Sequence, residues 1–137
     1  MRKTIPAPER FWAKVEKTDT CWLWTGALDT RGYGQFRVAS PPARPLQAYR
    51  YAFELLRGPV PQGLQLDHVC RVRRCVNPNH LEPVTGRENT LRGDGPPAQN
   101  ARKTHCIRGH KLPPRNNQGR RKCRICQAIT AAARRAA

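Results

Sequence analysis

The spacing of cysteines and histidines constrains this chain more than any other feature. Cys106, His110, Cys123 and Cys126 form a C-x3-H-x12-C-x2-C pattern, two close pairs separated by a basic loop. Thiolates and imidazole at that spacing suit a tetrahedral zinc ion, a borderline-soft cation that asks for four ligands. His105 could stand in for His110. A redox-active Cys-x-x-Cys is the alternative, but the strand context of a thioredoxin-type motif is missing. Staples matter because only 38% of the 137 residues are hydrophobic, and 13 prolines with 10 glycines favour loops. A core that small rarely holds itself together without metal or disulfides.

The other three cysteines, Cys21, Cys70 and Cys75, are one ligand short of a tetrahedron, and His80, five residues after Cys75, supplies it. Six cysteines and two histidines then divide into two four-ligand structural zinc sites, with His68 and His105 left over. Cys21 has an ordinary alternative, a small buried hydrophobe at the start of a strand. No apolar stretch of the secretory kind follows Met1-Arg2-Lys3, and no apolar run approaches the roughly 20 residues of a membrane span. The chain is therefore expected in the cytoplasm, without a membrane partner, where paired cysteines more often bind metal than form disulfides.

The pattern along the chain predicts a mixed α+β fold with little regular structure. Residues 1–20 read as a polar lead-in, with a helical turn at "ERFWAKV" that puts Phe11, Trp12 and Val15 on one side. "CWLWTGALDTRGYGQFRV" reads as a hairpin or two short strands, with Trp22 and Trp24 on one face and Gly32 and Gly34 flanking Tyr33 near the turn. "ASPPARP" is a surface loop. Ala48, Tyr51, Ala52 and Leu55 recur at helical spacing, and Gly58 with Pro59 ends that helix. "GLQLDHV" and "HLEPV" suit strands. "TGRENTLRG" suits a helix opened by a capping box between Thr85 and Glu88. The expected organisation is a zinc-holding domain over 21–92, a linker over 93–104 and a basic zinc module over 105–137 that runs into a helix.

Charge points to the partner. With 26 Lys and Arg against 9 Asp and Glu, the formal charge is +17. Such a field attracts a polyanion, and nothing resembles the basic amphipathic helix of a membrane-surface protein. Double-stranded DNA is the expected partner, held by Arg71, Arg73, Arg74, Arg87 and Arg92 near the first cluster and by Arg120, Arg121 and Lys122 in the tail. A solvated basic face, or an arginine excess that only reflects genome composition, is the plain alternative.

His68 is the leftover that carries chemistry. It follows Asp67 on a predicted strand and stands two residues before a zinc ligand. Adjacent strand residues point to opposite faces, so Asp67 could hold a metal while His68 reaches a water. Asn89, on the following helix, offers a neutral oxygen to the same cation. Magnesium, or manganese in its place, prefers a few such oxygens plus several waters. A lone histidine is more often a hydrogen-bonded bystander.

Residues 66–92, with "CWLWTGAL" and "ELLRGPVPQGLQLDH" ahead of them, resemble the HNH endonucleases of phages and mobile elements. The closest chemistry is similar to the zinc-stapled His-Cys box homing endonucleases, whose H-x-C-x4-C-x4-H-x8-N register falls here on His68, Cys70, Cys75, His80 and Asn89. The resemblance implies a ββα-metal core and one-metal hydrolysis of DNA phosphodiesters. It implies His68 as general base, Asp67 and Asn89 as ligands of the catalytic cation, and Asn77 as the asparagine that ties the loop. Arg50 would touch the scissile phosphate. One such centre cuts one strand per engagement, so a double-strand break needs a homodimer or two visits. If a phage encodes the chain, it acts in the host cell.

Two positions depart from the family pattern. Asn89 replaces the final histidine and keeps an oxygen ligand, and Tyr49 stands where related sequences often carry a histidine. The competing classes are a zinc-stapled DNA-binding protein that never cuts and a zinc protein acting through protein partners. Asp67, His68 and Asn89 argue against the first, because a binder has no use for that trio, and the charge argues against the second.

Overall fold

Apolar residues at helical spacing after residue 47 do form a helix. In the computed structural model, which describes residues 5–39 and 44–136, α2 (Ala48–Arg57) buries Ala48, Ala52 and Phe53 and ends at Gly58. Tyr51 packs on the core as its spacing predicts, but Leu55 is 44% exposed, and Phe53 takes the inward position instead. The predicted "ASPPARP" loop lies partly outside the described residues.

The chain divides into two compact units, Met1–Asn89 and Thr90–Ala137. In the first, α1 (Ala7–Trp12) sends Phe11 into the core. There it meets Trp24, Phe36 and Tyr51, with ring centroids 5.0, 5.1 and 4.9 Å away. The stretch expected to be a polar lead-in therefore contributes a central core residue. Its two ends differ: Phe11 is fully buried, while Trp12 and Val15 only cover the cluster.

The tryptophan strand also takes a partner that was not expected. β2 (Trp22–Trp24) pairs antiparallel with β1 (Val15–Lys17) upstream, not with the segment after Tyr33. That later segment, β3 (Gln35–Phe36), pairs with β4 (Leu46–Gln47). Gly34 explains the arrangement in part. A Cβ there would lie 2.6 Å from the Trp24 ring and 2.9 Å from Ala48 Cβ. Only glycine lets the chain pass between the buried tryptophan and the start of α2, where the Gly34 carbonyl accepts the Ala48 N–H at 2.7 Å.

β5 (Leu64–His68) and β6 (Leu81–Thr85) form the antiparallel ribbon expected of "GLQLDHV" and "HLEPV", with His68 opposite Leu81 and Asp67 opposite Glu82. α3 (Gly86–Arg92) follows at once. The predicted capping box is present: Thr85 Oγ1 accepts the Glu88 N–H at 3.2 Å, and Glu88 Oε2 accepts the Thr85 N–H at 3.0 Å. The order of ribbon and helix is ββα, within a mixed α+β fold.

In the second unit, the stretch expected as a linker carries α4 (Pro96–Arg102), with Ala98 buried. The polar composition of residues 93–104 hid it, because its order comes from hydrogen bonds rather than apolar periodicity. Gln99 donates to the Asp94 carbonyl at 2.8 Å, and Arg102 donates to the Gly93 carbonyl at 2.6 Å. α5 (Arg124–Ala136) closes the chain and buries no side chain among the described residues.

Candidate active site and metal centres

Both four-residue sets come together as the cysteine arithmetic requires. Cys21, Cys70, Cys75 and His80 place one ligand atom each within 4.8 Å of one another, and so do Cys106, His110, Cys123 and Cys126. The edges can be compared with a real coordination sphere. Zn–S bonds of about 2.3 Å and Zn–N bonds of about 2.0–2.1 Å give a tetrahedron with S···S edges of about 3.8 Å and S···N edges of about 3.6 Å. In the first set, His80 Nδ1 lies 3.6 Å from the sulfurs of both Cys21 and Cys75. In the second, His110 Nδ1 lies 3.6, 3.7 and 3.3 Å from Cys106, Cys123 and Cys126, and the Cys106 and Cys126 sulfurs are 3.8 Å apart. Both sets could hold zinc.

Local structure builds each set. Cys70 and Cys75 bracket a tight turn in which Arg71 takes a left-handed φ of 59° and its N–H donates to the His68 carbonyl at 3.1 Å. Cys21 is brought up by β2, whose Leu23 bridges Cys75. Cys21 is buried, as the plain hydrophobe reading wanted, but its neighbours are three ligands. Around the second set, a turn joins Cys106 to His110, and the first turn of α5 donates the Cys126 N–H to Cys123 Sγ at 3.5 Å. His105 lies apart, its Nδ1 at 2.9 Å from Thr104 Oγ1, so it does not replace His110. Without a cation, burial pushes the Cys75 thiol up to about 12. At Cys106, burial is outweighed by the backbone N–H groups of Arg108 and His110 and by the neighbouring thiols, which bring it down to about 6. Neighbours that compete for one proton in this way are suited to sharing one cation.

His68 is buried at the end of β5, with Tyr49 edge-on at 4.7 Å and Tyr33 at 5.8 Å between ring centroids. Its Nε2 sits 3.0 Å from the Cys75 carbonyl oxygen. A carbonyl can only accept, so Nε2 carries the hydrogen, and the neutral ring has its lone pair on Nδ1. Burial lowers the pKa of His68 below the ordinary imidazole value, while the bond to Cys75 and the charge of Asp67 oppose that shift without cancelling it. The surrounding arginines are not the cause of the shift.

Asp67 faces the other side of the ribbon and is also buried. Arg71 Nη1 lies 3.2 Å from its Oδ1. Gln65, two residues earlier and so on the same face as Asp67, accepts a hydrogen bond from Asn89 Nδ2 at 3.1 Å. Asn89 on α3 thus docks on the strand face that carries Asp67. Asn77 is buried and closes the 3-10 turn Pro78–His80, its Oδ1 accepting the Asn79 N–H at 3.0 Å. Its own N–H points to Cys75 Sγ at 3.5 Å.

Several arginines are committed elsewhere. Arg50 lies on the exposed side of α2 and pairs with Glu54 at 2.8 Å. Arg121 caps the end of α4, donating to the carbonyls of Asn100 at 2.9 Å and of Lys103. Arg71, Arg73, Arg74, Arg87, Arg92, Arg120 and Lys122 are exposed. Tyr33 is a neighbour of the histidine that no site motif in the sequence marks. Its placement between two glycines was the available signal.

Residues 47–91 match the family model described as HNH endonuclease. That span holds Asp67, His68, Asn77, Asn89 and three of the four ligands of the first metal set. Among curated proteins, the chain is 35% identical over 72 residues to "Protein 7.7" of Escherichia phage T7, covering 53% of each. It is 30% identical over 83 residues to "Protein 2.8" of the same phage, covering 60% of this chain and 55% of that one. It is 28% identical over 64 residues to "Uncharacterized gene 5.3 protein" of Enterobacteria phage T3, covering 44% and 63%. The chain thus spans between half and two-thirds of the length of these relatives. No solved structure matches. Among the described residues, no helix is long and apolar enough to cross a membrane.

Proposed function

We propose that the HNH endonuclease segment of this chain works as a DNA-cutting centre in which His68 is the general base. The observation that carries the proposal is the bond from His68 Nε2 to the Cys75 carbonyl, 3.0 Å long, which leaves the basic lone pair on Nδ1. Nδ1 would take the proton of a water as that water attacks a phosphodiester, and the Cys75 carbonyl stabilises the imidazolium that results. Burial keeps the ring neutral beforehand. Since the carbonyl belongs to a ligand of the first metal set, the metal knuckle is also the device that orients the base. Asn77 supports the same loop by closing the turn between Cys75 and His80.

Asp67 and Asn89 would hold a magnesium or manganese ion. The residues fit: Asp67 is a buried carboxylate that already draws a cationic partner, Arg71, and Asn89 docks on the same strand face. When bound, such an ion stabilises the charge developing on the phosphate and on the leaving 3′-oxygen. The two cysteine and histidine sets are read as structural zinc, and the second unit as an added grip on the duplex through Arg120 and Lys122. One centre cuts one strand at a time, so a double-strand break calls for a homodimer or two engagements. The setting proposed is the cytoplasm of a phage-infected cell.

The test is incubation of the zinc-loaded protein with supercoiled plasmid, with and without magnesium or manganese. Nicked or linear product that needs the added ion supports the reading. Plasmid that stays supercoiled, while still bound by the protein, returns the chain to the class of DNA binders that never cut.

A further inference from the structure

Arg50 pairs with Glu54 on the surface of α2. Two other arginines are joined to the histidine through one ring. Arg31 and Arg73 come from distant parts of the sequence, yet their guanidinium carbons lie 5.9 and 5.8 Å from the centroid of the Tyr33 ring. Arg73 Nη1 donates to the Arg31 carbonyl at 2.8 Å, which ties the two loops together. Tyr33 in turn lies 5.8 Å from the His68 ring and 5.7 Å from Tyr49.

The loop that carries Arg31 is built, not slack. Asp29 Oδ1 accepts the backbone N–H groups of Arg31 and Tyr33 at 2.9 and 3.0 Å, and Gly32 between them takes a φ of 87° that other residues rarely adopt. Oδ1 of Asp29 is thereby committed to the turn, and Oδ2 is left to a long ion pair with Arg31. That second oxygen lies 3.9 Å from the Arg31 guanidinium, which stays 73% exposed. Arg73 has no carboxylate partner among the described residues. Two like charges gathered at one aromatic ring repel each other, and a shared anion relieves that cost.

We propose that Arg31 and Arg73, held at the Tyr33 ring, form a phosphate-binding notch for the DNA strand that reaches His68. Through Tyr33, either guanidinium is at most about 12 Å from the imidazole, the axial rise of three or four nucleotides at about 3.4 Å each. The ligand is therefore a backbone phosphate at or close beside the scissile one. Tyr33 is a positioning residue: it touches the base on one side and steadies both arginines on the other. This rests on the proposed nuclease reading only for the location of the scissile bond, because DNA binding can be measured without cutting.

The experiment measures binding of a short duplex by zinc-loaded full-length protein carrying His68→Ala, across a range of salt. Each lost phosphate contact lowers the slope of log K against log salt by about 0.9. Arg31→Ala and Arg73→Ala should each lower it by about that amount. Tyr33→Ala should lower it by more than either, and Tyr33→Phe, which keeps the ring, should restore it. Arg31 is exposed, so its variant stays folded and is the decisive one. An unchanged slope in Arg31→Ala, or no salt dependence in the parent, overturns the notch. If the slopes fall as stated while the wild-type chain cuts no plasmid, the notch stands and only the nuclease reading fails.

Discussion

Replacing Phe11 with alanine tests whether the first twenty residues belong to the first compact unit. Phe11 is fully buried and packs against Trp12, Trp24, Phe36 and Tyr51, all with ring centroids within 5.1 Å. Removing a core phenylalanine costs about 3–5 kcal/mol, and four aromatic neighbours place this site toward the upper end. A unit of 89 residues has a stability of about 4–13 kcal/mol. The loss is therefore a large part of the total, and Tm should fall by at least about 12 °C. All three tryptophans, at 12, 22 and 24, lie in this unit, so tryptophan fluorescence during thermal unfolding in excess zinc follows it alone. Leu55→Ala is the contrast: its side chain is 44% exposed on α2, and alanine favours helix, so the change should stay below about 1 kcal/mol. A Phe11 variant that melts within a few degrees of wild type would refute the packing argument and make residues 1–20 the lead-in that their polarity suggests.

Removing the metal should unfold both units. Structural zinc contributes about 10–16 kcal/mol of apparent binding energy, more than either small core supplies. Tryptophan fluorescence should report loss of the first unit, and circular dichroism should report loss of α5. Unchanged melting after verified metal removal would defeat the staple model. The pH profile of cleavage should rise as His68 loses its proton, since only neutral imidazole accepts one from water. Burial lowers that pKa, so the midpoint should lie below the ordinary 6.5, and an acid limb at or above 6.5 contradicts the buried base.

Much of the site was legible because its chemistry is local in sequence. Cys70, Cys75 and His80 surround one turn, His68 and Asp67 adjoin it, and Thr85 caps the helix that carries Asn89, so spacing alone placed them. Cys21 lies far off in sequence and was reached by counting ligands, an argument that worked because tetrahedral coordination demands four. What escaped detection depends on long-range packing. β2 turned to β1, because the close pass of Gly34 over Trp24 sends the following segment toward β4 and α2. Charge likewise says nothing about the carbonyls a guanidinium will find, as Arg121 does at the end of α4. The Tyr33 ring at His68 joins residues 35 apart, and no periodicity marks such a contact.

The central claim is that His68 takes a proton from water during DNA cutting. It is tested by single-turnover cleavage by His68→Ala and wild type, both saturated with the same DNA in the presence of magnesium. The account predicts a loss on the order of 10²–10⁴-fold in the variant, with DNA affinity preserved, the usual range for removing a general base. Equal rates at equal saturation would make His68 a buried neighbour of the metal knuckle and contradict the mechanism.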